Sequence, residues 1–343
     1  MSTHLSPKEN LLRVLRRTDP EYVPVRRMNG LIPGMVRLHL NGNLIFHEEV
    51  DRWGVLFAGG GPPGAEWEPR VQAYAVGHPL ADLSNLDRYP FPDPDGPELC
   101  AGIFDGVDRA NNLVFVEIGV LPFTRAYFLM GMEALLMAMA DQPLAVGRLL
   151  HIIADYQIAV IHRVAAQGID GIRGEDDYGS QNSLMISPSM WRRRVKPELA
   201  RIVGAAKGAD LLFCMHSCGH IMPIVPDLIA LGVDILDPIQ QQANDQAELK
   251  RLYGARLCFK DGLSTQGALT QGTPAEVAAD VRERIRLLAP GGGYILGPDN
   301  SIAIPEANYR AYLAAGERYG RYPIRLGRGP QGAVRRNVKC AEC

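Results

Sequence analysis

The chain has 343 residues, with 36 Lys and Arg against 38 Asp and Glu, for a formal net charge of −2. So even a balance excludes the basic footprint of a nucleic-acid surface and gives no attraction to an anionic membrane. Hydrophobic residues at 47% and charged residues at 22% suit a globular enzyme, and no run approaches the roughly 18 uninterrupted apolar residues of a membrane span. Six cysteines, at 100, 214, 218, 258, 340 and 343, do not make a disulfide scaffold in a chain this long. Four of them lie in apolar or strand-like stretches, as reduced cysteines of a cytoplasmic protein do.

The N-terminus reads as a capped helix over residues 7–17, with no signal-peptide core, and leads through Asp19-Pro20 into "YVPVRRM". Residues 58–97 hold so many turn formers, as in "AGGGPPGAEWEPR" and "FPDPDGP", that they predict a long irregular lid or rim. "NLVFVEIG" (112–119) reads as a strand. The helical pattern after it is divided by Pro143, which removes an amide donor and clashes with the preceding turn. Strands follow at 169–177, 209–216, 233–239, 256–262 and 293–302. Between them come helices opened by Ser187-Pro188, starting near Met222 and stopping at Gly232, and running from a Thr273/Glu276 capping box.

Strands separated by helices of ten or more residues imply parallel βαβ units. Seven or eight such units over about 300 residues predict a single α/β domain, residues 1–343. It is a (β/α)8 TIM barrel with an N-terminal helical and Gly/Pro-rich extension, a core over 8–320 and a tail over 321–343. No G-x-G-x-x-G follows a strand, so nothing points to a dinucleotide fold. The tail's "RLGRGPQGAVRRNVK" reads as solvated, and its "KCAEC" as incidental spacing.

In a parallel barrel the C-terminal strand ends face one mouth, where sites are built. Here those ends are Glu117, Glu175-Asp176-Asp177, His216-Ser217-Cys218, Asp237, Asp261 and Asp299-Asn300. Such a ring of polar groups is costly to bury unless it is wet, paired or metal-bound, which points to an enzyme. Asp237-Pro238 and Lys260-Asp261 also admit a plainer reading, as a turn device and an exposed rim.

His216 and Cys218, two apart on an extended strand, project to one side with Cys214 below them. Imidazole and thiolate are zinc ligands, and a catalytic zinc takes about three protein ligands and an open position. A packed core pair is the alternative. Candidates for a third ligand are Asp299 or Asn300, Glu175 or Asp176, and less plausibly Cys340 or Cys343.

"HSCGHIMPIVPDLIALGVDILDPIQ" resembles the central signature of the uroporphyrinogen decarboxylase superfamily. That group contains the decarboxylases and the zinc-dependent, cobalamin-linked methyltransferases. The resemblance runs from Lys8 to Tyr319 through "NLLRVLRRTDPEYVPV", "DRWGV", "HPLADLSNLDRYPFPDPD", "LMGMEALLMAMADQP", "SPSMWRRRVKPEL", "DGLSTQGALTQGTPAEV" and "GGGYILGPDNSI". It implies a (β/α)8 barrel.

The resemblance leaves two branches. True decarboxylases carry an "RQAGRY"-like segment where this chain has "PVRRMNGLIPGM", with Arg26 and Arg27 but without the motif. The methyltransferase branch carries His-x-Cys and a later Cys. His216 and Cys218 match, while Asn300, beside Asp299, stands where the later Cys is expected. Fewer sulfur ligands leave a harder Lewis acid, suited to an ether oxygen or an amine more than a thiol.

The expectation is a cytoplasmic zinc methyltransferase moving a methyl group between a small ether, amine or thiol and a corrinoid or tetrahydrofolate carrier. A corrinoid protein or a second copy of the chain are its expected partners. His216, Cys218 and Asp299 hold the metal. Glu175, Asp176 and Asp177 are catalytic, and Glu117, Asp237, Asp261 and Asn300 contact substrate. The alternatives are a metal-free decarboxylase using Asp176 and His216, and a non-catalytic barrel that binds a tetrapyrrole or corrinoid.

Overall fold

A computed structural model of the chain describes residues 4–42, 49–61 and 71–324. Its ten strands are β1 (Met35–His39), β2 (Glu49–Val50), β3 (Leu56–Gly61), β4 (Val71–Gly77), β5 (Leu113–Val120), β6 (Gly171–Glu175), β7 (Leu212–His216), β8 (Ile235–Asp237), β9 (Cys258–Lys260) and β10 (Tyr294–Ile295). Seven of them pair in parallel in the order β1-β5-β6-β7-β8-β9-β10. The "YVPV" segment is the eighth stave. Val25 bridges Leu296 in parallel, Arg26 N donates to Leu296 O at 2.8 Å, and Leu296 N donates to Pro24 O at 2.9 Å. No helix joins this stave to β1; residues 27–34 turn directly from one to the other.

Alternation along the strands divides the barrel into an inside and an outside. Val114, Val116, Ile172, Phe213, Met215, Leu236 and Phe259 face out under the helices. Leu113, Phe115, Cys214, Ile235, Cys258 and Ile295 face in and form a separate cluster with Leu11, Val14 and Leu15. The first helix, Pro7–Arg16, capped by the Ser6 hydroxyl on Glu9 N, therefore plugs the N-terminal end of the barrel with its apolar face. One residue pair further up β5, β7, β8 and β9, the inward side chains change from apolar to charged. The site begins there.

The helices stand where the sequence puts them. Pro143 opens Pro143–Ala165 directly after Met132–Asp141, Ser187 caps Pro188–Arg194, and Gly232 ends Val225–Leu231 with φ +101°. Pro143–Ala165 is long and apolar enough to cross a membrane, but half of its apolar window is buried, through Val146, Leu149, Leu150, Ile153 and Val160 among others. Thr273 and Glu276 close a reciprocal capping box on Pro274–Leu288. Thr273→Ala should cost about 1 kcal/mol in urea unfolding.

The Gly/Pro-rich stretch departs from the irregular segment expected of it. At its start β3 and β4 pair antiparallel, and β2, which precedes the stretch, adds a third strand, giving a small sheet beside the barrel. Trp53, Val55 and Phe57 anchor it, and the Arg125 guanidinium lies over the Trp53 ring while pairing with Asp51. Gly59, Gly60 and Gly61 lie within β3 itself, and this composition masked the strand. Of the tail, residues 321–324 pack on the barrel, with Tyr322 Oη donating to Ala289 O at 2.9 Å. Cys340 and Cys343 lie outside the described residues.

Candidate metal centre

Above the apolar floor, the inward side chains form a buried charge network. Arg173, between Ile172 and Gly174 on β6, pairs with Glu117 at 3.1 Å, with Asp237 at 3.4 Å and with Glu175. Lys260 bonds Asp237 and, at 3.0 Å, Asp261; Arg26 bonds Asp261 at 2.6 Å and Pro298 O at 2.5 Å. Arg37 reaches Glu117 at 3.4 Å. Four cations thus face four carboxylates. Gly297 makes room for one pair, since a Cβ there would lie 2.0 Å from Asp261 Oδ1.

Pairing decides the protonation states. Burial opposes the charge on Asp237, but Arg173 and Lys260 outweigh it and hold this carboxyl well below the usual carboxylate range. Glu175 is treated the same way. Burial works against its charge, while Arg173 and then His216 bring its pKa down to about 2.

His216 sits at the end of β7 between this network and the mouth. Its Nδ1 donates to the ionised Asp237 at 3.1 Å, which fixes the tautomer and turns Nε2 outward. Nε2 lies 3.5 Å from Cys218 Sγ and 3.6 Å from Asp177 Oδ1. Ligand atoms of Asp177, His216 and Cys218 all fall within 4.8 Å of one another. Burial disfavours an imidazolium here, yet Cys218 and Asp237 together raise the His216 pKa well above its ordinary value. The His216 and Asp177 side chains keep 21% and 36% exposure, so the cluster opens to the mouth.

Two loops bring these residues together. Gly219 follows Cys218 with φ +80°, and a Cβ there would lie 2.2 Å from the Gly179 backbone. The loops after β6 and β7 therefore stack back to back. Gly179 N donates to Cys218 O at 3.2 Å, His220 N to Ser180 O at 2.8 Å, and Cys218 N to Asp177 Oδ1 at 2.8 Å. Gln240, from the loop after β8, accepts from Gly219 N at 2.6 Å.

The nitrogen, sulfur and oxygen donors of Asp177, His216 and Cys218 are the set zinc takes. A carboxylate behind the histidine is the usual support of such a ligand. The donor set fits a metal with three protein ligands and an open side.

The other expected site residues are distributed as follows. Glu117, Glu175, Asp237 and Asp261 all join the charge network, and Glu175 pairs with His216 across the β6–β7 register. Asp176 points away from the mouth, fully buried, accepting from Thr124 N at 2.6 Å, Phe123 N at 3.2 Å and Tyr178 Oη at 2.8 Å. It caps the helix Pro122–Met130. Burial raises its carboxyl to about 7, against hydrogen bonds that favour the anion. Asp299 does not join the donor cluster; it accepts from Thr265 N at 2.9 Å and Thr265 Oγ1 at 2.7 Å, and burial raises its pKa. Asn300 is exposed and accepts from Ser301 N at 2.7 Å. Cys214 lies below in the apolar floor, where burial pushes its thiol up.

Sequence reasoning passed over Arg26, Arg37 and Arg173 as site residues and left Lys260 open to the plainer reading of an exposed rim. Lys260 is 5% exposed. The available signal was parity: Arg173 and Glu175 are two apart on one strand, so an inward Glu175 carries Arg173 inward with it.

These features define a parallel eight-stave barrel with a His–Cys–Asp donor set at its C-terminal mouth, over a neutralised charge layer. The uroporphyrinogen decarboxylase (URO-D) family model matches residues 73–319, and the chain belongs to this family. A methyltransferase from Methanosarcina mazei shares the fold, with TM-score 0.67 over 92% of this chain and 99% of that one at 19% identity. The YdhT protein from Bacillus subtilis is a more distant likeness, with TM-score 0.38 over 68% of this chain and 71% of that one at 14% identity. No curated protein matches the sequence.

Proposed function

We propose that the chain is a zinc-dependent methyltransferase that passes a methyl group between a small ether, amine or thiol and a corrinoid or tetrahydrofolate carrier. The observation that carries this reading is the convergence of Asp177, His216 and Cys218, with Asp237 behind the imidazole. Asp177 here takes the place expected of Asp299. A bound zinc would supply Lewis acidity, polarising the heteroatom that gives or takes the methyl group.

The chain's own groups do the rest. Asp237 keeps the proton on Nδ1 and leaves the Nε2 lone pair for the metal. The Asp177 carboxylate receives Cys218 N and so ties the two donor loops together. Tyr127, whose phenol burial and then Asp177 and Asp176 hold in its protonated form, stands beside the cluster as a hydrogen-bond donor to substrate.

The charge network speaks against tetrapyrrole decarboxylation. A substrate with many carboxylates needs unpaired cations, and here Arg26, Arg37, Arg173 and Lys260 are each spent on an acid of the chain.

Protein purified without chelator should hold about one zinc per chain, and His216→Ala should retain less than about a fifth of it. Zinc content below that level in the unaltered chain removes the proposal. Carbon dioxide released from uroporphyrinogen would return the chain to decarboxylation.

A further inference from the structure

We infer that Lys260 is a positioning residue for the metal centre. Acting through Asp237, it holds the His216 ring in the orientation and tautomer that present Nε2 to Cys218 and Asp177. The inference deepens the proposed function and rests on it only where that reading places a metal on those three donors.

The two oxygens of Asp237 have separate duties. Oδ1 takes the His216 Nδ1 proton at 3.1 Å. Oδ2 takes Lys260 Nζ and, at 3.4 Å, Arg173 Nε. Arg173 is divided among three acids, since it also serves Glu117 and Glu175. Lys260 is therefore the closer and less divided clamp on Oδ2. It is itself fixed from the far side, because Asp261 at 3.0 Å bonds Arg26, which bonds Pro298 O. The chain of contacts runs His216–Asp237–Lys260–Asp261–Arg26 around half the barrel.

A buried ammonium that touches neither the donor cluster nor the open mouth is costly to keep unless its partner needs it. The partner does. With Lys260 removed, the Asp237 carboxyl is free to rotate off His216 Nδ1, and the imidazole loses its fixed acceptor.

Positioning and simple electrostatics predict opposite signs. A positive charge near a metal weakens cation binding, so on charge alone the removal of Lys260 tightens zinc. If Lys260 acts by positioning His216, its removal loosens zinc by about 10–100-fold, as loss of outer-shell support does elsewhere.

Zinc dissociation constants measured by chelator competition on the full chain separate the two. The expected result is weakening by about 10–100-fold in Lys260→Met, with most of the affinity recovered in Lys260→Arg, which returns a cation to Asp237. Unchanged or tighter binding in Lys260→Met, with the unaltered chain binding normally, overturns the inference alone. An unaltered chain that binds no zinc overturns the metal reading itself.

If Lys260→Met does not fold, the zinc-loaded unaltered chain can be labelled with 15N-histidine. Coordination of His216 through Nε2, with the proton kept on Nδ1, supports the inference, and coordination through Nδ1 overturns it.

Discussion

Arg173→Met should lower unfolding free energy by about 3–5 kcal/mol, the range for breaking a buried ion pair from one side. The Arg173 side chain is 7% exposed and holds Glu117, Glu175 and Asp237 around one guanidinium. Methionine fills much of the volume but leaves three carboxylates short of a partner in a place where water cannot replace it. Urea unfolding followed by circular dichroism measures the loss directly; a change under about 1 kcal/mol would mean the network is hydrated and its pairing weak.

The same substitution changes the acid limb of the stability curve. Glu175 has a folded pKa of about 2 against an ordinary value of 4.5, so its contribution is complete above about pH 4.5. It is lost as pH falls through the folded value. Asp237, also depressed, adds to that slope. Without Arg173 both carboxyls protonate more easily in the folded chain, so stability should depend less steeply on pH between about 4.5 and 2.

Gly219→Ala should cost about 3 kcal/mol and remove metal binding with it. A left-handed backbone costs a residue with a Cβ about 1–2 kcal/mol, and overpacking adds about 1–3. The added methyl would meet the Gly179 carbonyl carbon and oxygen at 2.2 Å and Ser180 O at 2.6 Å, which are backbone atoms that no rotamer change can move. Relief requires the two stacked loops to part, and those loops carry Asp177 and Cys218. Urea unfolding and zinc content, measured together, test both halves. Gly204→Ala is the internal control. It lies in the helix Lys196–Gly208 with nothing within 4 Å of its added methyl. That change should be neutral or stabilise by up to about 1 kcal/mol.

Much of the fold was legible because helix and strand signals agreed with one another. Capping residues at Ser187 and Thr273, the break at Pro143 and the stop at Gly232 all lie where local chemistry demands them. β1 was missed because "MVRLH" places Arg37 and His39 on its inward face, reversing the pattern of an apolar core strand. The small β2-β3-β4 sheet was hidden by the run of glycines inside β3 and the turn formers that follow it in the sequence.

In the site, the position of His216 and Cys218 at the end of β7 followed from parity and strand length. The partnership with Asp177 did not, since it depends on the close approach of Gly179 and Gly219, a contact between residues 40 apart in the chain. Asp299 and Asp177 are the same residue type and equally strand-terminal in one dimension. What separates them is the hydroxyl and amide of Thr265, which occupy the first, and the open mouth beside the second.

The seam between the first stave and β10 has a consequence for how the chain folds. Arg26 meets partners 235 and 272 residues away, and the Tyr312 hydroxyl closes on Arg26 O across 286. Contacts of such sequence separation carry the largest loop-closure cost and form slowly. On a translating ribosome the N-terminal stave waits, unpaired along that edge, until β10 and Leu296 have emerged. Barrel closure is therefore a late event, and the loops carrying Asp177 and Cys218 at the opposite wall can order before the ring is complete.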